Sequence, residues 1–241
     1  MEYQDLCICL ENEAILGIFK NIIKQEKINS DFVNKLISRI SSFLEFNSTG
    51  TFLKLDSPIS RLVPFPRLHF ATASYASRNI SEGSLDHMHY ELNNLMFHKD
   101  NCFVTCKHDM YMNNFGYCIS YRGLIDHNLD FIKQSFSFIK ELNKAEAGKD
   151  YYYIENKRPL MHTTKHEIDL NSYDVIGVKN YSGIWTFWDE IIKKFDVHVQ
   201  NKAEVKKLVD DGVQNGEFQE CRESMAALIN DYKTFQSAVK E

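Results

Sequence analysis

Residues 61–70 read RLVPFPRLHF, and the two prolines in that stretch, out of four in the whole chain, restrict the fold more than any other feature. Pro64 and Pro66 each fix φ and lack an amide donor, and each drives its predecessor, Val63 or Phe65, toward extended geometry. No helix can run through them. Beyond them Leu68 and Phe70 alternate with Arg67 and His69, a spacing that predicts a half-buried strand over about 67–74. The segment therefore reads as a stiff boundary between a helical part and a sheet-containing part.

Before the joint, ENEAILGIFKNIIKQ (11–25) places Ile15, Phe19, Ile22 and Ile23 on one stripe of an amphipathic helix. Ser30 is positioned to cap a second helix, in which Phe32, Val33, Leu36, Ile37, Ile40, Phe43 and Leu44 form a face wide enough for burial on more than one side. Asp56 or Ser57 can cap a brief helix with Pro58 in its first turn. After the joint the elements alternate: the loop SRNISEGS, a helix at about 86–96, strands near 102–106 and 114–121, and a helix at about 126–143. DYYYIE, KHEIDL and YDVIGVK supply three further strands. A helix at about 182–195 carries Ile184, Trp185, Trp188, Ile191, Ile192 and Phe195 along one buried side. In the last helix Phe218, Cys221, Met225, Leu228, Tyr232 and Phe235 recur at three- and four-residue steps, with Glu, Arg and Lys opposite. The pattern is that of an α+β scaffold.

With a net charge of −5 over 241 residues, the chain has no Lys/Arg cluster dense enough to follow phosphates, which argues against a nucleic-acid partner. KAEVKK (202–207) reads as a solvated helix face. No apolar run approaches the roughly 18 residues of a membrane span, and the first residues lack a basic-then-apolar signal pattern. The expectation is an intracellular chain with no membrane partner. Its six cysteines, Cys7, Cys9, Cys102, Cys106, Cys118 and Cys221, are then expected to be mostly reduced thiols in apolar settings. Cys102, Cys106 and His108 have the spacing of a metal cluster, yet they equally fit a strand with 102, 104 and 106 on one face. A zinc site usually needs four ligands and no second pair stands nearby, so no metal is expected.

Neither GxGxxG nor GxxxxGK followed by Ser or Thr occurs, and ten glycines scattered singly cannot build a phosphate loop. His87 and His89 fall near a helix start and His162 and His166 near strands, without a nucleophile at a diagnostic spacing. On its residues alone the scaffold has no recognisable active site.

Six stretches resemble tubulins. LVPFPRLHF is similar to the LVPYPRIHF or MVPFPRLHF with which that family joins its nucleotide-binding part to its intermediate domain. ENEA (11–14) resembles the family's DNEA, NKLIS (34–38) the NRLIS of its long central helix, and KKFD (193–196) its HKFD. YRG (121–123) follows a strand as it does in tubulins. GEFQECRESMAALINDY (216–232) is similar, without a gap, to the alpha-tubulin stretch GEFSEAREDMAALEKDY. Together these run in order along nearly the whole chain and favour the alpha subtype over beta.

The resemblance implies three parts: a remnant of the nucleotide-binding domain with its core helix (1–60), an intermediate domain of mixed sheet packed with helices (61–180), and a carboxy-terminal helical region (181–241). It implies a structural constituent of the cytoskeleton in the cytoplasm, a divergent and truncated subunit whose partners are beta-tubulin and the microtubule lattice. A lateral loop is expected at about 75–86, and Glu217, Glu220, Arg222 and Glu223 form an expected surface for microtubule-associated proteins. The proline joint then has a purpose, since a lattice subunit must keep its contact faces in register.

The departures bear on chemistry. The family's GGGTGSG phosphate loop has no counterpart here, so the match begins just before the last helices of the nucleotide-binding domain. Of the family's guanine contacts, Asn12 and Asn34 match two asparagines, but the stacking tyrosine falls at Ser30. GTP, the family's cofactor, is therefore not expected to bind this chain alone. Aligned back from the joint, LKLDSPISRLVP puts Ser57 where alpha-tubulins carry a glutamate that orients water for the neighbouring subunit's GTP, and Lys54 at the nearby aspartate. Serine is a poor general base at neutral pH. Asp56 is one residue off, about 100° around a helix, so it substitutes only after a register change that Pro58 would have to supply. The alternatives to a lattice subunit are a module that caps or sequesters tubulin, an active GTPase, and a gene fragment that does not fold.

Overall fold

A computed structural model describes residues 6–23, 33–34, 36–38, 40, 62–63, 65–79, 85–96, 98–106, 114–122, 152–157 and 172–238. Among the described residues five strands form one sheet: β1 (Cys7–Cys9), β2 (Phe70–Asn79), β3 (Asn114–Arg122), β4 (Tyr152–Lys157) and β5 (Ser172–Tyr181), in the spatial order β1-β2-β5-β3-β4. β1 is parallel to β2 and β3 to β4, whereas β5 is antiparallel to both of its neighbours. The helices are α1 (Asn12–Ile23), α2 (Leu85–Met96), α3 (Trp185–Gln200), α4 (Lys202–Asp210) and α5 (Asn215–Ala238), and residues 33, 34, 36–38 and 40 are also helical. The chain is α+β with a mixed sheet.

Strand alternation sorts the core into two faces. Register places Ala73 opposite Val178 and Tyr75 opposite Ile176, and these side chains share one face with Ala71 and Cys118. Ile15 and Ile18 of α1 cover that face, together with Leu36 and Ile40. On the other face Phe70 and Tyr181 meet Leu228 and Tyr232 of α5. Gly177 admits Met96 of α2 there, because a Cβ at 177 would stand 2.9 Å from the Met96 sulfur. The sheet is thus buried on both sides around β2 and β5.

Several elements differ from the sequence expectation. β2 starts at Phe70, after a turn at Phe65–Arg67 that the Leu68 N–H closes by donating to the Phe65 carbonyl at 2.9 Å. His69 is only 3% exposed, although the alternation points it outward, and its Nδ1 lies 2.7 Å from the Pro66 carbonyl. β2 also runs on to Asn79, paired with β5, so residues 75–79 of the expected lateral loop are strand and Leu85 already belongs to α2. Ile37 is 38% exposed, which narrows the apolar face expected around it.

The expected strand at 102–106 is instead a 3-10 turn (Lys99–Asn101) followed by an irregular extended segment with one bridge, Cys102 to Ser74. Its backbone bonds are divided: the Phe103 N–H donates to the Ala73 carbonyl at 2.9 Å, while the Phe103 carbonyl accepts from the Glu11 N–H at 2.8 Å. Phe103 thus bonds to β2 on one side and to the residue before α1 on the other, and no regular ladder runs through it. The side chains still alternate, with Phe103 in the α1 core and Val104 on the α5 side.

Before α3 the chain takes a 3-10 turn (Ser182–Ile184), and the helix then continues to Gln200. Gly183 is required in that turn, since a Cβ would sit 2.5 Å from a ring carbon of Tyr181. α4 buries no residue, as its KAEVKK stretch predicts. Asn201 caps it by accepting from the Ala203 N–H at 3.2 Å, and Gly212, with φ of 106°, turns the chain away at its end. Cys221 is exposed, outside the apolar stripe of α5 in which its spacing places it. His87 and His89 lie on α2. The brief helix near Pro58, the helix at 126–143, the KHEIDL strand, His108, His162 and His166 lie outside the described residues. Among the described residues no helix is long and apolar enough to cross a membrane.

Candidate functional site

The proline joint is held by side chains from two distant elements. Asn180, near the end of β5 and fully buried, donates through its Nδ2 to the carbonyls of Leu62, at 2.8 Å, and Leu68. Tyr232, on the buried stripe of α5, accepts from the Phe70 N–H at 3.1 Å and donates back to the Phe70 carbonyl at 3.2 Å. Burial pushes the Tyr232 phenol well above its ordinary range, so it stays a donor at every physiological pH. Phe65 packs at a tilt against Phe235 with centroids 4.8 Å apart, and Arg67 reaches Asp231 at 3.0 Å. The Arg67 end of this pair is exposed to solvent screening, whereas the amide and phenol that fix the joint are buried.

The outer surface of α3 and α5 is the second candidate. Arg222 forks onto Asp196, Nε to Oδ1 at 2.7 Å and Nη2 to Oδ2 at 3.0 Å. This hydrogen bonding holds the Asp196 carboxyl below its ordinary value. A depression of about 350 Å³ opens beside the fork, lined by Phe195, Val199, Gln200 and Phe218. Glu217, Glu220, Arg222 and Glu223 are all exposed, as their spacing predicts, but Arg222 is engaged by Asp196 and Glu223 accepts from Gln219.

The expected base-contact residues stand apart from both surfaces. Asn12 opens α1 and Asn34 lies on the helical piece before Leu36, and both are exposed. The start of α1 carries Glu11 and Glu13, a poor setting for a phosphate chain. Ser30, Lys54, Asp56 and Ser57 lie outside the described residues. Among the described residues no group of three or more His, Cys, Asp or Glu side chains is arranged to hold a metal ion. What the described residues offer is a joint held by buried hydrogen bonds and an exposed surface on α3 and α5.

Sequence reasoning missed Asn180 and the role of Tyr232. Tyr232 gave one signal, a hydroxyl on an otherwise apolar stripe, which when buried needs a partner. Asn180 gave none, because its partners are 118 and 112 residues away.

No family model matches the chain. Among curated proteins the tubulin alpha-2 chain of Eleusine indica is 27% identical to it, over 100% of this chain and 55% of the relative. The tubulin alpha chain of Dictyostelium discoideum is likewise 27% identical, over 100% and 54%. The tubulin alpha-B chain of Neurospora crassa is 28% identical, over 97% and 53%. The chain spans about half the length of the curated relatives it matches. Over all or nearly all of its length it resembles the carboxy-terminal half of alpha-tubulin, at an identity that marks it as divergent.

Proposed function

We propose that this chain is a divergent alpha-tubulin-like structural protein of the cytoplasmic cytoskeleton, which associates with beta-tubulin in microtubules and contributes no GTP turnover of its own. The observation that carries the proposal is the match to alpha-tubulin chains over all or nearly all of the chain. The clamped joint supports it, because a subunit of a lattice must hold its surfaces at one angle. In this reading residues 1–60 derive from a nucleotide-binding domain, 61–180 form the intermediate domain and 181–241 the outer helices, whose exposed face receives microtubule-associated proteins. Asn12 and Asn34 retain two base contacts, too few for useful GTP affinity, and Ser57 leaves the neighbouring subunit without its glutamate.

Co-sedimentation with preformed and with growing microtubules tests the proposal. The chain is expected in the pellet, in larger amount when it is present during growth. A chain that slows growth while remaining in the supernatant is a sequestering module, and a chain without effect in either fraction has no tubulin-like role; either result overturns the proposal.

A further inference from the structure

β1 carries its two cysteines at alternate positions, so both side chains leave the same side of the strand. Leu6 and Ile8 pack toward the α1 core, while Cys7 and Cys9 face the core beneath α5. Cys9 is 7% exposed and Cys7 is half-buried, so an oxidant reaches the pair from the Cys7 side. The two thiols are therefore neighbours on one side of the strand. Cys106, also half-buried, approaches from the segment after the 3-10 turn, and Tyr181 of β5 and Tyr232 of α5 face the pair from the sheet and the helix. Lys179 lies deeper, its Nζ 4.2 Å from the centre of the Tyr181 ring.

We propose that Cys7 and Cys9 are a peroxide-oxidisable thiol pair, and that closing it to a disulfide releases β1, the outermost strand among the described residues, from β2. The division of labour follows from the geometry. Cys7 is the half-buried sulfur that an oxidant reaches and Cys9 the buried one beside it, and the neighbouring Cys9 draws the Cys7 thiol below its ordinary value. Cys7 is then the attacking sulfur and Cys9 the resolving one.

In the first step the Cys7 thiolate bonds to one peroxide oxygen. The O–O bond breaks, hydroxide leaves, and Cys7 becomes a sulfenic acid while the peroxide is reduced. In the second the Cys9 sulfur bonds to the Cys7 sulfur, the S–O bond breaks, and the departing hydroxide takes the Cys9 proton. The sum is two thiols and one hydrogen peroxide giving one disulfide and two waters.

The structural consequence comes from length. Two extended residues span about 6.7 Å between Cα atoms, at the far end of what a disulfide bridges, with about 5.5–6 Å preferred. Closing the bond therefore shortens β1. That strand pairs with β2 over three positions, Cys7 with Phe70, Ile8 with Ala71 and Cys9 with Thr72, and the Cys7 N–H donates to the His69 carbonyl at 2.9 Å. A strand of that length loses its register when it buckles. The inference is independent of any tubulin-like role.

The test uses the reduced full chain and hydrogen peroxide at pH 7, with quenching by N-ethylmaleimide, peptide mass spectrometry and hydrogen exchange. Expected are a disulfide linking Cys7 to Cys9 and loss of amide protection across β1 that dithiothreitol restores. In Cys9→Ser the oxidation should stop at a Cys7 sulfenic acid that dimedone traps, and in Cys7→Ser Cys9 should stay a thiol. Oxidation that leaves Cys7 and Cys9 as thiols, a Cys7 sulfenic acid that persists in the wild-type chain, or a disulfide that leaves β1 protected would each overturn the proposal. The wild-type measurements decide even if a variant fails to fold.

Discussion

Replacing Tyr232 with phenylalanine would leave the ring and remove the hydroxyl that serves both backbone groups of Phe70. The Phe70 groups are buried, so the loss is expected to cost about 1–3 kcal/mol, read as a lower urea midpoint with an unchanged slope. An unshifted midpoint would mean that the phenol does not hold the joint. The same residue shows where sequence reading stops. Its place on the α5 stripe was legible from helical spacing, whereas its hydrogen-bond partner, 162 residues away, was not. His69 shows a related limit: alternation assigns it to solvent, but the turn that precedes it turns its ring onto the Pro66 carbonyl. At Cys221 the three- and four-residue spacing was misleading, since α5 is covered mainly toward Leu228 and Tyr232 and its earlier turns are exposed.

Elements were legible where the signal is local and fell away where long-range bonds decide. α1, α2, β3 and β5 lie close to where periodicity places them, because one covered face imposes one period on the sequence. Residues 102–106 carry a strand-like pattern, yet their hydrogen bonds go to two elements, which no pattern within the segment reveals. Asn12 and Asn34 were expected to contact a base only through resemblance, and their exposed side chains supply no independent geometry for a nucleotide. Between α3 and α5 the Arg222–Asp196 fork yields a pH prediction. Asp196 is an acid held below its ordinary 3.8, so its contribution is complete above that value and is lost as pH falls through the lower folded value. In Arg222→Gln the Asp196 carboxyl, followed by NMR titration, is expected to rise toward 3.8; an unmoved titration would show that the fork does not form in solution.

For the molecule as a whole, one sheet carries strands from both sides of the proline joint, and α5 docks on the same sheet through the core that includes Cys9, Phe70 and Tyr181. Because these parts share a core, thermal unfolding followed by circular dichroism and by tryptophan fluorescence is expected to give one coincident transition. Separate transitions would mean that the outer helices, where both Trp185 and Trp188 reside, fold independently of the sheet. A joint fixed on two sides is what an assembling subunit needs, and the resemblance to alpha-tubulin says which assembly to test. The most direct measurement is to image the fluorescently labelled chain in microtubules growing from unlabelled tubulin. Signal distributed along the whole lattice is the predicted result; signal confined to the ends, or absent from the polymer, would contradict a role as a subunit.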